Sequence, residues 1–129
     1  MAHSILVVDD AENTRGILTY LLKNKGYSVR AATNGEDALR LIESAAPDLV
    51  VLDAMMPRLS GYEVCARVKA EERTRAIPVI LLTAQPHEAG ETVTRWKPEL
   101  RPNEVMAKPF KIQELLARIE GLLKPAPGA

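Results

Sequence analysis

Five short apolar runs punctuate the chain: Ser4–Val8, Ser28–Ala32, Leu49–Asp53, Val79–Thr83 and Val105–Ala107. Runs this short, rich in Val, Ile and Leu and without polar alternation, predict strands buried on both faces. Ser28–Ala32 is the less apolar of them and is expected nearer an edge. Between the runs the period changes to that of helices. Glu12 to Lys25 carries Ile17, Leu18, Leu21 and Leu22 as a stripe and is closed by Gly26. Asn34-Gly35 opens a helix to about Ala45, with Ala38, Leu39, Leu41 and Ile42 inward and Pro47 ending it. Ser60 stands three residues before Glu63, the spacing of a capping box, so Gly61 to Glu72 reads as helix. Ile112, Leu115, Leu116, Ile119, Leu122 and Leu123 mark a last amphipathic helix. The pattern weakens over Ala84 to Glu104: His87 to Trp96 can be helical, but Pro98 and Pro102 stop it from running on.

Strands alternating with helices imply a parallel sheet covered on both faces, since parallel neighbours need right-handed helical crossovers. The expected fold is α/β: a flavodoxin-like doubly wound sheet of five parallel strands with five helices. Its strand order, 2-1-3-4-5, is matched to known doubly wound folds. Such a sheet binds ligands beyond the carboxyl ends of strands one and three, where the winding reverses. Those ends are Asp9-Asp10 and Asp53.

Composition narrows the picture further. With 129 residues and 47% apolar content, one domain is expected over residues 1–124, and 125–129 form a tail or linker stub. Seventeen basic and seventeen acidic side chains cancel, so nothing in the overall charge marks a direct nucleic-acid or membrane surface. The one cysteine, Cys65, lies on an apolar helix side with Val64 and Val68 and reads as a small core residue. No signal peptide or membrane-length apolar run is evident, and a cytoplasmic location is expected.

Asp53 ends an apolar strand abruptly and is not needed as a helix cap, because Ser60 fills that role. Three carboxylates on adjacent strand ends repel one another and raise one another's pKa values unless something compensates them. Two compensations are available: a hard divalent cation, with Mg2+ the best fit to so few protein oxygens, and Lys108 from the end of the fifth strand. A carboxylate, a Mg2+ site, a lysine and the Thr83 hydroxyl suit phosphoryl transfer to Asp53, a reaction governed by positioning and charge neutralisation. Mg2+ would be held by Asp10, Asp53 and the Met55 backbone carbonyl. Lys108 and Thr83 would serve the other phosphoryl oxygens.

Four motifs in order carry a family resemblance: Val7-Val8-Asp9-Asp10 with Arg15 five later; Leu52-Asp53-Ala54-Met55-Met56-Pro57 with Ser60-Gly61; Leu82-Thr83-Ala84; and Lys108-Pro109-Phe110. Over about residues 4 to 123 the chain resembles the receiver domain of two-component response regulators. The resemblance implies that Asp53 is the phosphoacceptor, Asp9 and Asp10 the acidic pair around Mg2+, Thr83 the switch hydroxyl and Lys108 the phosphate-binding lysine. It also suggests a cis peptide between Lys108 and Pro109. A sensor histidine kinase or a histidine phosphotransfer protein would donate the phosphoryl group, an unknown protein target would read it, and the chain would be a monomer or a phosphorylation-dependent dimer. It would catalyse only its own phosphorylation and dephosphorylation.

The chain departs from that family in one region. Val105 replaces the usual Tyr or Phe, and 95–102, Arg-Trp-Lys-Pro-Glu-Leu-Arg-Pro, stands where a regular fourth helix and a Gly-Ala turn are typical. This leads to the expectation that Ala84 to Glu104 moves as one segment on phosphorylation while Val105 stays nearly still. Two other readings stay open. A small aspartyl-phosphate phosphatase would place a second Asp where Met55 stands, and a pseudo-receiver acting without phosphorylation would lack one of the essential groups.

Overall fold

In the computed structural model, which describes residues 3–123, five strands alternate with five helices. The strands are β1 (Ser4–Val8), β2 (Ser28–Ala32), β3 (Leu49–Asp53), β4 (Val79–Thr83) and β5 (Glu104–Ala107). The helices are α1 (Glu12–Asn24), α2 (Gly35–Ser44), α3 (Gly61–Ala70), α4 (Pro86–Thr94) and α5 (Ile112–Leu123), with a short 3-10 turn at Pro98–Leu100 between α4 and β5. All neighbouring strands are parallel and the order is β2-β1-β3-β4-β5. The domain boundary at 124 and the tail 125–129 lie outside the described residues.

Every residue of β3 and β4 is buried, as a strand covered on both faces requires. The sheet separates two cores. On one face Leu6, Val50, Leu52 and Leu81 meet Ala38 and Ile42 of α2 and Val64, Cys65 and Val68 of α3. On the other, Ile5, Val7, Val51 and Ile80 meet Leu18 and Leu22 of α1 and Leu115 and Ile119 of α5. α1 departs from its expected stripe: Leu18 and Leu22 are buried, but Ile17 is 60% exposed. At about 100° per residue the two leucines already fill the inward direction, and Ile17 is carried past its edge.

Local chemistry sets the helix ends. Asn34 Oδ1 accepts from the Asp37 amide at 2.8 Å to open α2, and Ser60 Oγ accepts from the Glu63 amide at 3.3 Å to open α3. Gly26, after α1, has φ +95°, a conformation that favours glycine. α3 ends at Ala70, two residues short of the expected Glu72, because Glu71 is extended, and α4 begins at Pro86 and ends at Thr94.

Candidate active site at the carboxyl ends of the strands

β1 and β3 are adjacent, with Val8 paired to Leu52, so Asp9 and Asp53 leave neighbouring strand ends at the same level. One oxygen from each of Asp9, Asp10 and Asp53 can be chosen so that all lie within 4.8 Å of one another. Asp9 and Asp53 are buried, whereas Asp10 is exposed. Asp53 is therefore enclosed more than a strand-end residue facing outward would be, with 6% of its surface accessible.

Each carboxylate has a different occupation. Asp9 Oδ1 accepts from the Ala11 amide at 2.9 Å and its Oδ2 from Lys108 Nζ at 3.1 Å, while its backbone carbonyl accepts from Arg15 Nη1 at 2.9 Å. Asp53 Oδ1 accepts from Lys108 Nζ at 3.2 Å and, more weakly, from the Met55 amide at 3.4 Å. Burial, followed by the charge of Asp9, holds the Asp53 carboxyl above the ordinary carboxylate range, against the lowering pull of Lys108. For Lys108 burial pulls the pKa down, but bonding to Asp9 and the charges of both carboxylates outweigh it, so the ammonium is held above its usual value.

β4 brings in the hydroxyl. Thr83 is buried at the strand's last position, beside Ala107 of β5, and its carbonyl accepts from the Lys108 amide at 2.7 Å. Its Oγ1 accepts from the Gln85 amide at 3.0 Å. Met55 follows Asp53 by two residues and is 62% exposed. The Lys108-Pro109 peptide is cis, as the resemblance suggested.

Two features around the site were not read from the sequence. Gly61 lies so close to β3 that a Cβ there would sit 2.1 Å from the Asp53 carbonyl oxygen, so the first turn of α3 rests directly on the Asp53 backbone. Arg58, in the connection between them, has φ 67°, although nothing in its residue type announces a left-handed turn. A Gly directly after the Ser60 cap was the available signal for the first; the second had none.

Three carboxylates, an ammonium and a hydroxyl thus lie at one end of the sheet. The model of the response regulator receiver domain matches residues 5–120. The chain belongs to the response regulator receiver family. It is 39% identical over 124 residues to the alkaline phosphatase synthesis transcriptional regulatory protein PhoP of Bacillus subtilis, covering 96% of this chain and 50% of that protein. It is 43% identical over 122 residues to ycf27 of Cyanidium caldarium, covering 95% and 47%. The chain thus spans about half the length of these curated relatives. Among solved structures it is similar to a putative response regulator from Chloroflexus aurantiacus, with TM-score 0.85 and 35% identity, covering 95% of this chain and 98% of that one. It is also similar to the response regulator TrrA of Thermotoga maritima in complex with Mg2+ and BeF, with TM-score 0.81 and 35% identity, covering 95% and 100%.

Receiver domains act in phosphorylation-controlled signalling with histidine kinases or phosphotransfer proteins, and they bind Mg2+ in an acidic pocket. Among the described residues no helix is long and apolar enough to cross a membrane.

Proposed function

We propose that this receiver accepts a phosphoryl group on Asp53 from a histidine kinase or phosphotransfer protein, with Mg2+ required, and that the modified surface is read by a protein target. The observation that carries the reading is the single lysine shared by two buried carboxylates: Lys108 reaches Asp9 and Asp53 together, with no other cation bonded to either carboxylate among the described residues. An ammonium in that place serves an anion richer in charge than Asp53 alone.

The donor set suits a hard divalent ion, since all three side chains are carboxylates and carboxylate oxygen is a natural ligand of Mg2+. Asp10 and Asp53, with the Met55 carbonyl, are the residues that would hold it, and Asp9 supports them from behind. When bound, Mg2+ neutralises charge on the transferring phosphoryl group. The chain's own groups do the rest. An Asp53 carboxylate oxygen forms the new bond to phosphorus as the bond to the donor nitrogen breaks, and the electron pair leaves with the donor imidazole. Lys108 supports one equatorial oxygen and Thr83 donates to another. Hydrolysis by water returns Asp53 and inorganic phosphate, so the chain turns over no independent substrate. Such an exchange belongs in the cytoplasm.

A small phosphodonor such as acetyl phosphate tests this. With Mg2+ the intact protein should gain one base-labile phosphoryl group, and with excess EDTA it should gain none. Equal labelling in EDTA contradicts the metal requirement, and no labelling in Mg2+ favours the pseudo-receiver reading.

A further inference from the structure

β5 is an edge strand and the shortest of the five, and of its four residues only Met106 is buried. Apolar packing therefore specifies its register weakly, yet a slip of one residue would turn every later side chain to the other face. Lys108 follows directly after β5, so its reach to Asp9 and Asp53 depends on that register. Polar bonds at both ends of the β4–β5 pairing supply what burial does not. At the exit the Lys108 amide donates to the Thr83 carbonyl at 2.7 Å. At the entry Asn103 holds Val79 twice: its backbone N–H donates to the Val79 carbonyl at 2.9 Å, and its Oδ1 accepts from the Val79 amide at 2.9 Å.

The entry is itself fixed from α3. Trp96 stands edge-on to the Tyr62 ring with centroids 6.0 Å apart, and the Cys65 thiol approaches the Leu100 carbonyl oxygen at 3.7 Å. One turn beyond Cys65, the buried Lys69 ammonium donates to Asn103 Oδ1 at 2.8 Å and to the carbonyls of Ile77 at 2.8 Å and Arg75 at 3.2 Å. These partners are neutral oxygens, one for each N–H of the ammonium. A group that only donates holds Asn103 by its oxygen, the orientation that the Val79 amide also needs. Without the ammonium the Ile77 and Arg75 carbonyls lose that donor. An Asn103 amide that turns its Nδ2 to them takes its oxygen away from Val79.

We infer that Lys69 is a positioning residue for phosphoryl transfer to Asp53: through Asn103 it fixes the register of β5 on β4, and that register sets Lys108 beside Asp9 and Asp53. This rests on Asp53 being the phosphoacceptor. Lys69 touches no reacting atom, so its contribution to the reaction passes through Lys108.

Initial rates of labelling by acetyl phosphate in saturating Mg2+, followed by intact mass, test this in a double-mutant cycle with Lys108→Met. In the wild-type background Lys69→Met and Asn103→Ala should each slow labelling by about tenfold, since a small misplacement of a reacting group is costly. In the Lys108→Met background the same substitutions should change the rate by less than about twofold. Asn103→Asp, which keeps an acceptor for Lys69 and Val79, should stay within about twofold of wild type. Circular dichroism reports which variants fold, and if Lys69→Met does not, the two Asn103 variants decide alone. An unchanged rate in Asn103→Ala overturns the inference, and so does a loss in Asn103→Asp equal to that in Asn103→Ala. A loss that persists undiminished in Lys108→Met also overturns it, because the junction then supports the fold at large. Peptide mapping of the labelled wild type separates the two claims. A phosphoryl group absent from Asp53 defeats the reading beneath the inference, whereas a labelled Asp53 with insensitive variants defeats the inference alone.

Discussion

Lys108 donates to Asp53 across 3.2 Å although the two residues lie 55 apart in the chain. The parallel sheet makes this possible. β4 lies between the strands that carry them, and the Lys108 amide is anchored on the Thr83 carbonyl at the end of that middle strand. From there the side chain reaches over β4 to both carboxylates. Replacing it with Met should slow labelling by acetyl phosphate by about 100-fold, the scale of losing one well-placed donor to a developing oxyanion. Initial rates followed by intact mass check this, and an unchanged rate removes Lys108 from the chemistry.

Metal-free stability should depend on pH through Asp53. Its carboxyl is held above the ordinary value of 3.8, first by burial and then by Asp9, so the neutral form favours the fold. That stability is complete below 3.8 and is lost as pH rises through the higher folded value. Asp53→Asn should therefore melt at a higher temperature than wild type at pH 7 in EDTA, with the difference shrinking on acidification. Thermal melts at several pH values decide it. A variant that melts lower at every pH contradicts the sign.

Asp9 and Asp10 should respond differently to removal. Both Asp9 oxygens are already bonded, one to the Ala11 amide and one to Lys108, whereas Asp10 is exposed at the pocket. Asp10→Ala should cost more Mg2+ affinity than Asp9→Ala, and Asp9→Ala should cost more stability. Metal titration by calorimetry beside denaturant unfolding measures both. Equal losses of affinity mean that the pair shares the ion.

The connection between Asp53 and α3 permits two opposite substitutions. Gly61→Ala forces a methyl to 2.1 Å from the Asp53 carbonyl oxygen and should destabilise the fold by about 3 kcal/mol. Arg58→Gly relieves a left-handed residue and should stabilise by about 1 kcal/mol, since its exposed 3.8 Å ion pair with Glu36 contributes little. Urea unfolding should show the two shifts with opposite signs.

The sheet was legible because strands buried on both faces leave uninterrupted apolar runs, as in Leu49–Asp53 and Val79–Thr83, whose bounds agree with the structure. The gathering of the candidate residues was legible for a related reason: Asp9, Asp53, Thr83 and Lys108 each interrupt such a run at its carboxyl end, and a parallel sheet brings those ends together. The seat of 96–103 on α3 was not. Lys69 is a charged residue on a helix, ordinarily solvated, and only the acceptors at Arg75, Ile77 and Asn103 make its burial possible. Those acceptors converge through loops whose course no periodicity reveals. Cys65 was read correctly as core, and burial pushes its thiol up to about 12.

The most direct test of the account is the position of the phosphoryl group. Protein treated with acetyl phosphate and Mg2+ is reduced with borohydride, which converts an acyl phosphate to an alcohol, then digested and sequenced by mass spectrometry. The account predicts reduction at Asp53 alone, with Asp9 and Asp10 intact and no reduced residue in Asp53→Ala. Reduction at another carboxylate in the wild-type chain, or an unmodified Asp53 in protein that carries the phosphoryl group, contradicts it.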